Sequence, residues 1–451
     1  FYSFYYYVKY LTYVSVCSRL NQYRNVGKRF MMNSTKKTVQ AIAGFLNTDW
    51  NPRDIPTDTL TRNVVLRTAD QAATGGSLYM PAQGTDTVVC IMHPREFMAC
   101  HYLIPDVVAA GYAAWSQFPR SVGNDLRLEH ELALHDVAAG LHFLKEQGFK
   151  RIVLLGNSGG VGLFSFYVQQ SSLSPEQRIK HTPGGRPTKL EQLDMPTVDG
   201  LIFVGPHPGQ GALLLNCIDP SVLDENNALL VDPSLDPLNP ENGYKGKQNT
   251  HYRAEFIARY RAAQKARVAR LDVYAHELIN RRLEARKRVK IAGTSATIED
   301  RRLAAHTPIF NVWRTDADLR CFDLSLDPSL RKFGSLWGSD PFTSNYGAVG
   351  FARQCTPESW LSTWSGLSSN ATLEKTISSL HQPILVIEYT GDQACFPEEV
   401  QHVFQALPTQ DKQHLCIAGD HHGRALNPED EPGRLEAGRQ IAVWLKRTFP
   451  N

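Results

Sequence analysis

The alternation of short β-forming runs with helix-length segments constrains the fold of this chain more than any other feature. It is typical of a mostly parallel sheet flanked by helices, and so predicts an α/β fold. The turn-rich segment 71–76 separates the first two runs and predicts an antiparallel hairpin. The predicted strands lie at about 63–69, 76–81, 87–92, 113–118, 152–157, 199–204, 384–389 and 413–417.

The alternation stops between about 206 and 380. Segment 252–290 carries twelve Lys and Arg against four acids, with apolar residues at helical spacing. We expect its basic side chains on a solvated face, the alternative being an anionic substrate or a membrane surface. The region predicts a large, mainly helical cap inserted into a core formed by 49–205 and 381–451.

Composition narrows the class of partner. The 451 residues contain 48 Lys and Arg against 45 Asp and Glu, a balance that predicts no nucleic-acid partner. The eight cysteines are scattered without a C-x-x-C pair, which argues against a disulfide framework and against a zinc site, and favours a reducing, cytoplasmic location. We expect a small-molecule substrate, no cofactor and no stable membrane insertion, and a homodimer is compatible with the sequence.

Residues 1–48 are predicted to be an N-terminal extension. The chain begins with Phe and has no acid before Asp49, which is typical of an organelle transit peptide. The other interpretation is that Met31 or Met32 is the natural start and the first 30 residues are not native.

A serine stands at one junction between a predicted strand and a predicted helix. Residues 156–160, GNSGG, match G-x-S-x-G, with the apolar run RIVLL before them and VGLFSFYVQQ after them. A reactive serine projects from such a tight turn, which favours small flanking residues. The spacing fits neither a dinucleotide-binding loop nor a P-loop. The motif therefore predicts Ser158 as a nucleophile.

A serine nucleophile needs a base and an acid that orients the base, and both follow in the order Ser, acid, His. Asp392 comes just after the predicted strand 384–389, where open α/β sheets keep their active sites. His421 comes just after the last strand and is favoured as the base over the adjacent His422. Asp219 and Asp224 remain alternative acids.

The oxyanion of the reaction needs two donors. One is predicted to be the backbone N–H of Gly159, and the other that of Arg95, with Glu96 as second choice because Pro94 has no N–H. His93 is expected to brace its loop. His207, like His93, is a candidate to line the substrate pocket.

With these motifs the chain resembles the α/β-hydrolase superfamily. The resemblance covers about 60–205 and 380–451, and rests on the segments GNSGG, TGDQACFP and GDHHG. It implies an eight-stranded, mostly parallel sheet with helices on both faces and a cap after the sixth strand. It also implies a serine hydrolase with the triad Ser158, Asp392 and His421. HPRE at 93–96, where many members have His-Gly, departs from the pattern.

The predicted reaction is cleavage of a carboxylic ester, lactone or thioester of a small apolar or aromatic substrate through an acyl-enzyme. A carbon–carbon bond hydrolase with the same triad is the alternative enzyme. A ligand-binding protein that keeps the fold without turnover is the alternative outside enzymes.

Overall fold

The structure, a computed structural model, describes residues 54–122, 125–247, 249–348 and 350–450. The predictions for the N-terminal extension, Met31 and Met32 therefore lie outside the described residues. The first half of the core consists of β1 (Leu60–Arg67), β2 (Ala73–Met80), β3 (Thr87–Ile91), α1 (Ile104–Ala109), β4 (Ala113–Phe118), α2 (His130–Glu146), β5 (Arg151–Asn157), α3 (Gly159–Ser172) and β6 (Gly200–Val204).

The segment that follows β6 is mainly helical and contains two short antiparallel strand pairs. Its elements are α4 (Gln210–Cys217), β7 (Val222–Asp224), β8 (Asn227–Val231), α5 (Ala254–Ala292), α6 (Ile298–Ala305), β9 (Phe310–Asn311), α7 (Pro341–Tyr346), β10 (Gln354–Cys355), α8 (Pro357–Ser359) and α9 (Leu373–Thr376). A π-helical turn, Trp360–Trp364, continues α8. The core then resumes with β11 (Ile384–Tyr389), α10 (Pro397–Ala406), β12 (Lys412–Ile417) and α11 (Gly433–Thr448). Short 3₁₀ turns lie at Asp125–Arg127, Pro175–Gln177, Leu190–Gln192, Pro240–Asn242, Gly293–Ser295, Leu319–Cys321 and Ile377–Ser379.

Eight strands form the main sheet, in the order β1-β2-β4-β3-β5-β6-β11-β12. β2 runs antiparallel to both of its neighbours, and the other pairs are parallel. One apolar cluster packs α2 and α3 on one face, and a second packs α1 and α11 on the other. The predicted fold class, an eight-stranded, mostly parallel sheet with helices on both faces, is confirmed.

β2 begins earlier than the sequence predicts. Gly75 was expected in the turn and Gly76 at the first position of the strand, but β2 begins at Ala73, and both glycines pair with β1, at Val65 and Val64. A methyl group on Gly76 would overlap the ring of Trp115. Glycine here therefore permits close packing within the sheet instead of a change of chain direction.

The long basic helix α5 is present, but part of its charge is buried. The guanidinium of Arg267 is inaccessible to solvent and pairs with Glu225, with 2.5 Å between Nη2 and Oε2. Arg282 pairs with Glu358 in a second buried site. The expectation of a solvated basic face is therefore wrong for these two residues, since carboxylates from other segments reach them.

The predicted cap 206–380 contains one apolar cluster of its own, and it shares a second one with Phe396 of the core. Its last residues differ from the rest, since Leu373 and Leu380 pack into the cluster on one face of the main sheet. The boundaries of the cap stay a prediction. No helix in the described part of the chain is long and apolar enough to span a membrane.

Candidate active site

Ser158 occupies a sharp turn between β5 and α3. Its φ of 55° and ψ of −121° are rare for a residue with a side chain, and the N–H donates to Val204 O at 2.9 Å. A methyl group on Gly156 would lie 2.7 Å from the backbone N of Val161, and one on Gly160 would overlap the carbonyl of Met92. The two glycines therefore allow the turn that presents the serine hydroxyl.

A continuous hydrogen-bonded chain joins Ser158, His421 and Asp392. Nε2 of His421 lies 3.0 Å from Ser158 Oγ, and Nδ1 lies 2.7 Å and 2.9 Å from the two carboxylate oxygens of Asp392. Oδ1 of Asp392 also accepts the N–H groups of Ala394 and Cys395, at 2.7 Å and 2.9 Å. The structure thus brings together the three residues that the sequence predicts as nucleophile, base and acid.

The sheet explains why these residues meet although they are far apart in sequence. Ser158 follows β5, Asp392 follows β11 and His421 follows β12, so all three lie past the carboxyl ends of parallel strands. Gly205, which has a φ of 53°, lies next to Asp392 and His421. A methyl group on it would be 3.4 Å from Asp392 Oδ2. Cys395 donates from Sγ to Gly205 O at 2.9 Å.

The alternative acids and base have other surroundings. Asp219 forms a buried ion pair with Arg314, at 2.5 Å, and lies away from the triad hydrogen bonds. Asp224 ends the exposed strand β7, where its carboxylate accepts the N–H of Asn226. The ring of His422 packs edge-on against that of His421, with 5.0 Å between centroids. Of the two neighbouring histidines, His421 is the one that reaches Ser158.

The loop after β3 differs from the sequence prediction. The N–H groups of Arg95 and Glu96, the predicted oxyanion donors, both donate to Nδ1 of His93, at 3.2 Å and 3.1 Å. Because Nδ1 accepts them, the proton of the neutral ring is assigned to Nε2. A methyl group on Gly159 would lie 2.6 Å from that Nε2. His93 therefore braces its loop, as expected, and also faces the residue after the nucleophile.

Burial keeps most of the imidazoles around the serine neutral. It lowers the pKa of His130 to about 4, that of His207 to about 3, and that of His93 well below the ordinary value. Burial also opposes the charged form of His421. The charge of Asp392 and its hydrogen bond outweigh this effect and raise the pKa of His421 above 6.5. Among these four rings, His421 is the one suited to hold a proton near neutral pH.

His130 and Gln210 are site neighbours that the sequence reasoning missed. A methyl group on Gly159 would come within 3.4 Å of Gln210 Cδ, and a charge on His130 would oppose protonation of both His93 and His207. Each lies in the first turn of a helix, α2 or α4, with no motif around it that signals a site. His207 accepts the N–H of Gly209 on Nδ1 at 3.1 Å and so braces its own loop, close to the triad.

The site also contains one group of potential metal ligands. Ligand atoms of Asp392, Cys395 and His421 lie within 4.8 Å of one another. The carboxylate and imidazole are already engaged in the triad, and burial raises the pKa of the Cys395 thiol well above 9, which favours the protonated form. The arrangement therefore suits proton transfer between Ser158 and His421 better than metal binding.

The fold class of this chain follows from the order of its strands and from the positions of three residues. The serine lies in the turn after β5, and the acid and the histidine follow the last two strands. The chain has the strand order of the α/β-hydrolase fold, and it places Ser158, His421 and Asp392 in one hydrogen-bonded chain. No family model matches the chain, and no curated protein matches it in sequence.

Several solved structures share the general architecture at low identity. An esterase of Pyrococcus furiosus is 12% identical with a TM-score of 0.44, over 90% of this chain and 98% of that one. The esterase domain of a Rhodothermus marinus protein is 12% identical with a TM-score of 0.41, over 86% and 98%. A monoacylglycerol lipase of Paleococcus ferrophilus is 13% identical with a TM-score of 0.38, over 86% and 99%. The strand order and the triad geometry, and not these likenesses, define the fold of this chain.

Proposed function

We propose that the protein is a serine hydrolase that cleaves carboxylic esters, lactones or thioesters through an acyl-enzyme. The observation that carries this proposal is the hydrogen-bonded chain from Ser158 Oγ through His421 to Asp392. A serine hydroxyl is a weak nucleophile at neutral pH, and a neutral imidazole 3.0 Å away can accept its proton. Asp392 orients that imidazole and stabilises its charged form.

The reaction proceeds in two halves. Ser158 Oγ attacks the substrate carbonyl carbon while its proton moves to His421 Nε2, and the tetrahedral intermediate collapses when that proton passes to the leaving oxygen or sulfur. Water then attacks the acyl-enzyme and gives a proton to His421. The departing serine oxygen takes this proton back, which frees the acid and restores the enzyme.

The oxyanion is stabilised by the N–H of Gly159 and by the Nε2–H of His93. The Gly159 amide lies in the first turn of α3, where the helix dipole favours negative charge. Since the amides of Arg95 and Glu96 hold Nδ1 of His93, the ring is fixed with its second nitrogen toward Gly159. This assignment replaces the Arg95 amide of the sequence prediction with a side-chain donor held by that amide.

In this proposal the aromatic residues of the predicted cap do not select the substrate. Trp360 and Trp364 are fully buried in a cluster with Phe351 and Phe310, so these rings stabilise the segment by packing. The acyl group is therefore best identified with a panel of esters of graded acyl length and with aromatic esters. Release of two carbon fragments from a diketone, with no ester cleaved, would overturn the ester assignment.

Covalent labelling tests the nucleophile directly. We expect a fluorophosphonate probe to add once to the protein, and peptide mapping by mass spectrometry to place the adduct on Ser158. The Ser158→Ala variant should not react. Labelling of another serine, or undiminished labelling of the alanine variant, would contradict the proposal.

The role of His93 is tested by two side chains that mimic different nitrogens of its ring. In His93→Gln the amide nitrogen can occupy the place of Nε2, whereas in His93→Asn the shorter side chain retains an acceptor near Nδ1 only. Loss of an oxyanion donor typically lowers kcat by about 10²–10³-fold. We expect the asparagine variant to show that loss with KM little changed, and the glutamine variant to recover part of it.

Full activity of His93→Asn would contradict the donor role. It would show that bracing of the loop through Nδ1 is the whole contribution of His93, and that a backbone amide supplies the second donor.

A further inference from the structure

A group of three potential metal ligands lies on the sheet, separate from the triad. Glu388 of β11 and His414 and Cys416 of β12 point to one place, and their ligand atoms lie within 4.8 Å of one another. Nε2 of His414 is 2.9 Å from Glu388 Oε2, and Sγ of Cys416 is 3.7 Å from the same oxygen and 3.8 Å from Nε2. One oxygen, one nitrogen and one sulfur therefore form a small triangle.

The size of this triangle matches a tetrahedral zinc site. With zinc–ligand distances of about 2.0–2.3 Å, tetrahedral nitrogen and oxygen ligands lie about 3.3 Å apart, and a sulfur lies about 3.5 Å from each. The observed separations of 2.9, 3.7 and 3.8 Å differ from these values by a few tenths of an ångström. Glutamate, histidine and cysteine are also the ligand types that zinc accepts.

The strand pairing holds the three side chains on one face. Residues two apart on a strand point the same way, so His414 and Cys416 share a face of β12. Glu388 pairs directly with Cys416 in the parallel register of β11 and β12. The ring of His414 packs on Phe404 of α10, with 5.3 Å between centroids, which fixes its orientation.

The place is accessible to an ion. β12 is an edge strand of the sheet, and Cys416 is exposed whereas Glu388 is buried. An ion can therefore enter from the side of the thiol and keep water as its fourth ligand.

We propose that Glu388, His414 and Cys416 form a binding site for Zn²⁺ that ties β12 to β11. The site lies one strand position before the ends of both strands, which lead to Asp392 and His421. The bound ion stabilises the pairing of β11 and β12, the two strands that lead to the acid and the base of the triad.

Cobalt substitution tests the site with a readout that does not depend on turnover. The full-length protein is treated with a chelator, dialysed and titrated with Co²⁺. We expect a thiolate-to-cobalt charge-transfer band in the near ultraviolet, the visible spectrum of a tetrahedral complex, and displacement of both by Zn²⁺. Zinc should also raise the Tm, because it binds the folded state.

Variants at the ligands and at another thiol make the test specific. Cys416→Ser should remove the charge-transfer band, and His414→Ala should lower zinc affinity at least about 10-fold, the loss seen when even an outer-sphere partner of a metal is removed. Cys100→Ser is the matched control, since Cys100 is another partly accessible free thiol, and should keep the band.

Three results would overturn the proposal. The first is that cobalt gives no charge-transfer band. The second is that the band persists unchanged in Cys416→Ser, and the third is that it disappears in Cys395→Ser instead. The last result would place the metal at the triad.

Discussion

Replacing Ser158 by alanine is expected to lower kcat for an activated ester by about 10⁶-fold, the loss found when the nucleophile of a serine triad is removed. The reason is that no covalent intermediate can form, although the imidazole of His421 and its bond to Asp392 remain in place. Steady-state kinetics with a chromogenic ester give the size of the loss. Substrate binding should change little, because the serine contributes through its reaction with the carbonyl.

Ser165→Ala is the matched control for this variant. Ser165 lies in the same helix, α3, but its buried hydroxyl donates to Val161 O at 2.7 Å and is engaged in the helix itself. We expect its kcat to stay within a few-fold of the unaltered protein. Comparable activity of Ser158→Ala and Ser165→Ala would remove Ser158 from the reaction.

Replacing Asp392 by asparagine is expected to lower kcat by about 10⁴-fold, since the amide can hold His421 in the wrong tautomer. A second effect concerns pH. In the unaltered protein burial lowers the pKa of His421, but the Asp392 charge outweighs this effect and raises the pKa above its ordinary value. Because the reaction needs the neutral ring, the charge moves the rising limb of kcat/KM to higher pH. Without that charge the pKa of His421 falls, and the limb moves to lower pH. A pH–rate profile of both proteins measures the shift.

Asp219→Asn separates this role from a general effect of losing a buried acid. Its partner is Arg314, so the variant should lose stability, seen as a lower Tm, while the folded fraction keeps its kcat within a few-fold. A 10⁴-fold loss in Asp219→Asn with an active Asp392→Asn would instead make Asp219 the acid of the triad.

The triad was accessible to sequence reasoning because each member sits beside a local signal. Ser158 lies between a strand and a helix with glycines on both sides, and Asp392 and His421 follow predicted strands directly. Parallel strands bring their carboxyl ends to one edge, so a correct list of strands was enough to place all three together. Their hydrogen bonds could then be expected from their chemistry.

Features that depend on contacts across the fold were not accessible in the same way. The pattern at 93–96 cannot show that the Arg95 amide donates to His93, because that bond depends on how the loop folds back. The charge of Arg267 is read from sequence as a surface charge, and only the fold brings Glu225 to it. Likewise, the absence of C-x-x-C says nothing about ligands on paired strands, whose register is set in three dimensions.

The π-helical turn Trp360–Trp364 is tied to the start of α2 by buried hydrogen bonds. Ser362 Oγ accepts the N–H of His130 at 2.8 Å and donates to the Glu131 carboxylate at 2.5 Å, and Thr363 Oγ1 lies 3.1 Å from His130 Nδ1. Swinging this turn away would leave several buried polar groups unpaired, at about 1–3 kcal/mol each. We therefore expect this turn and the start of α2 to move as one rigid unit and not as a separate lid.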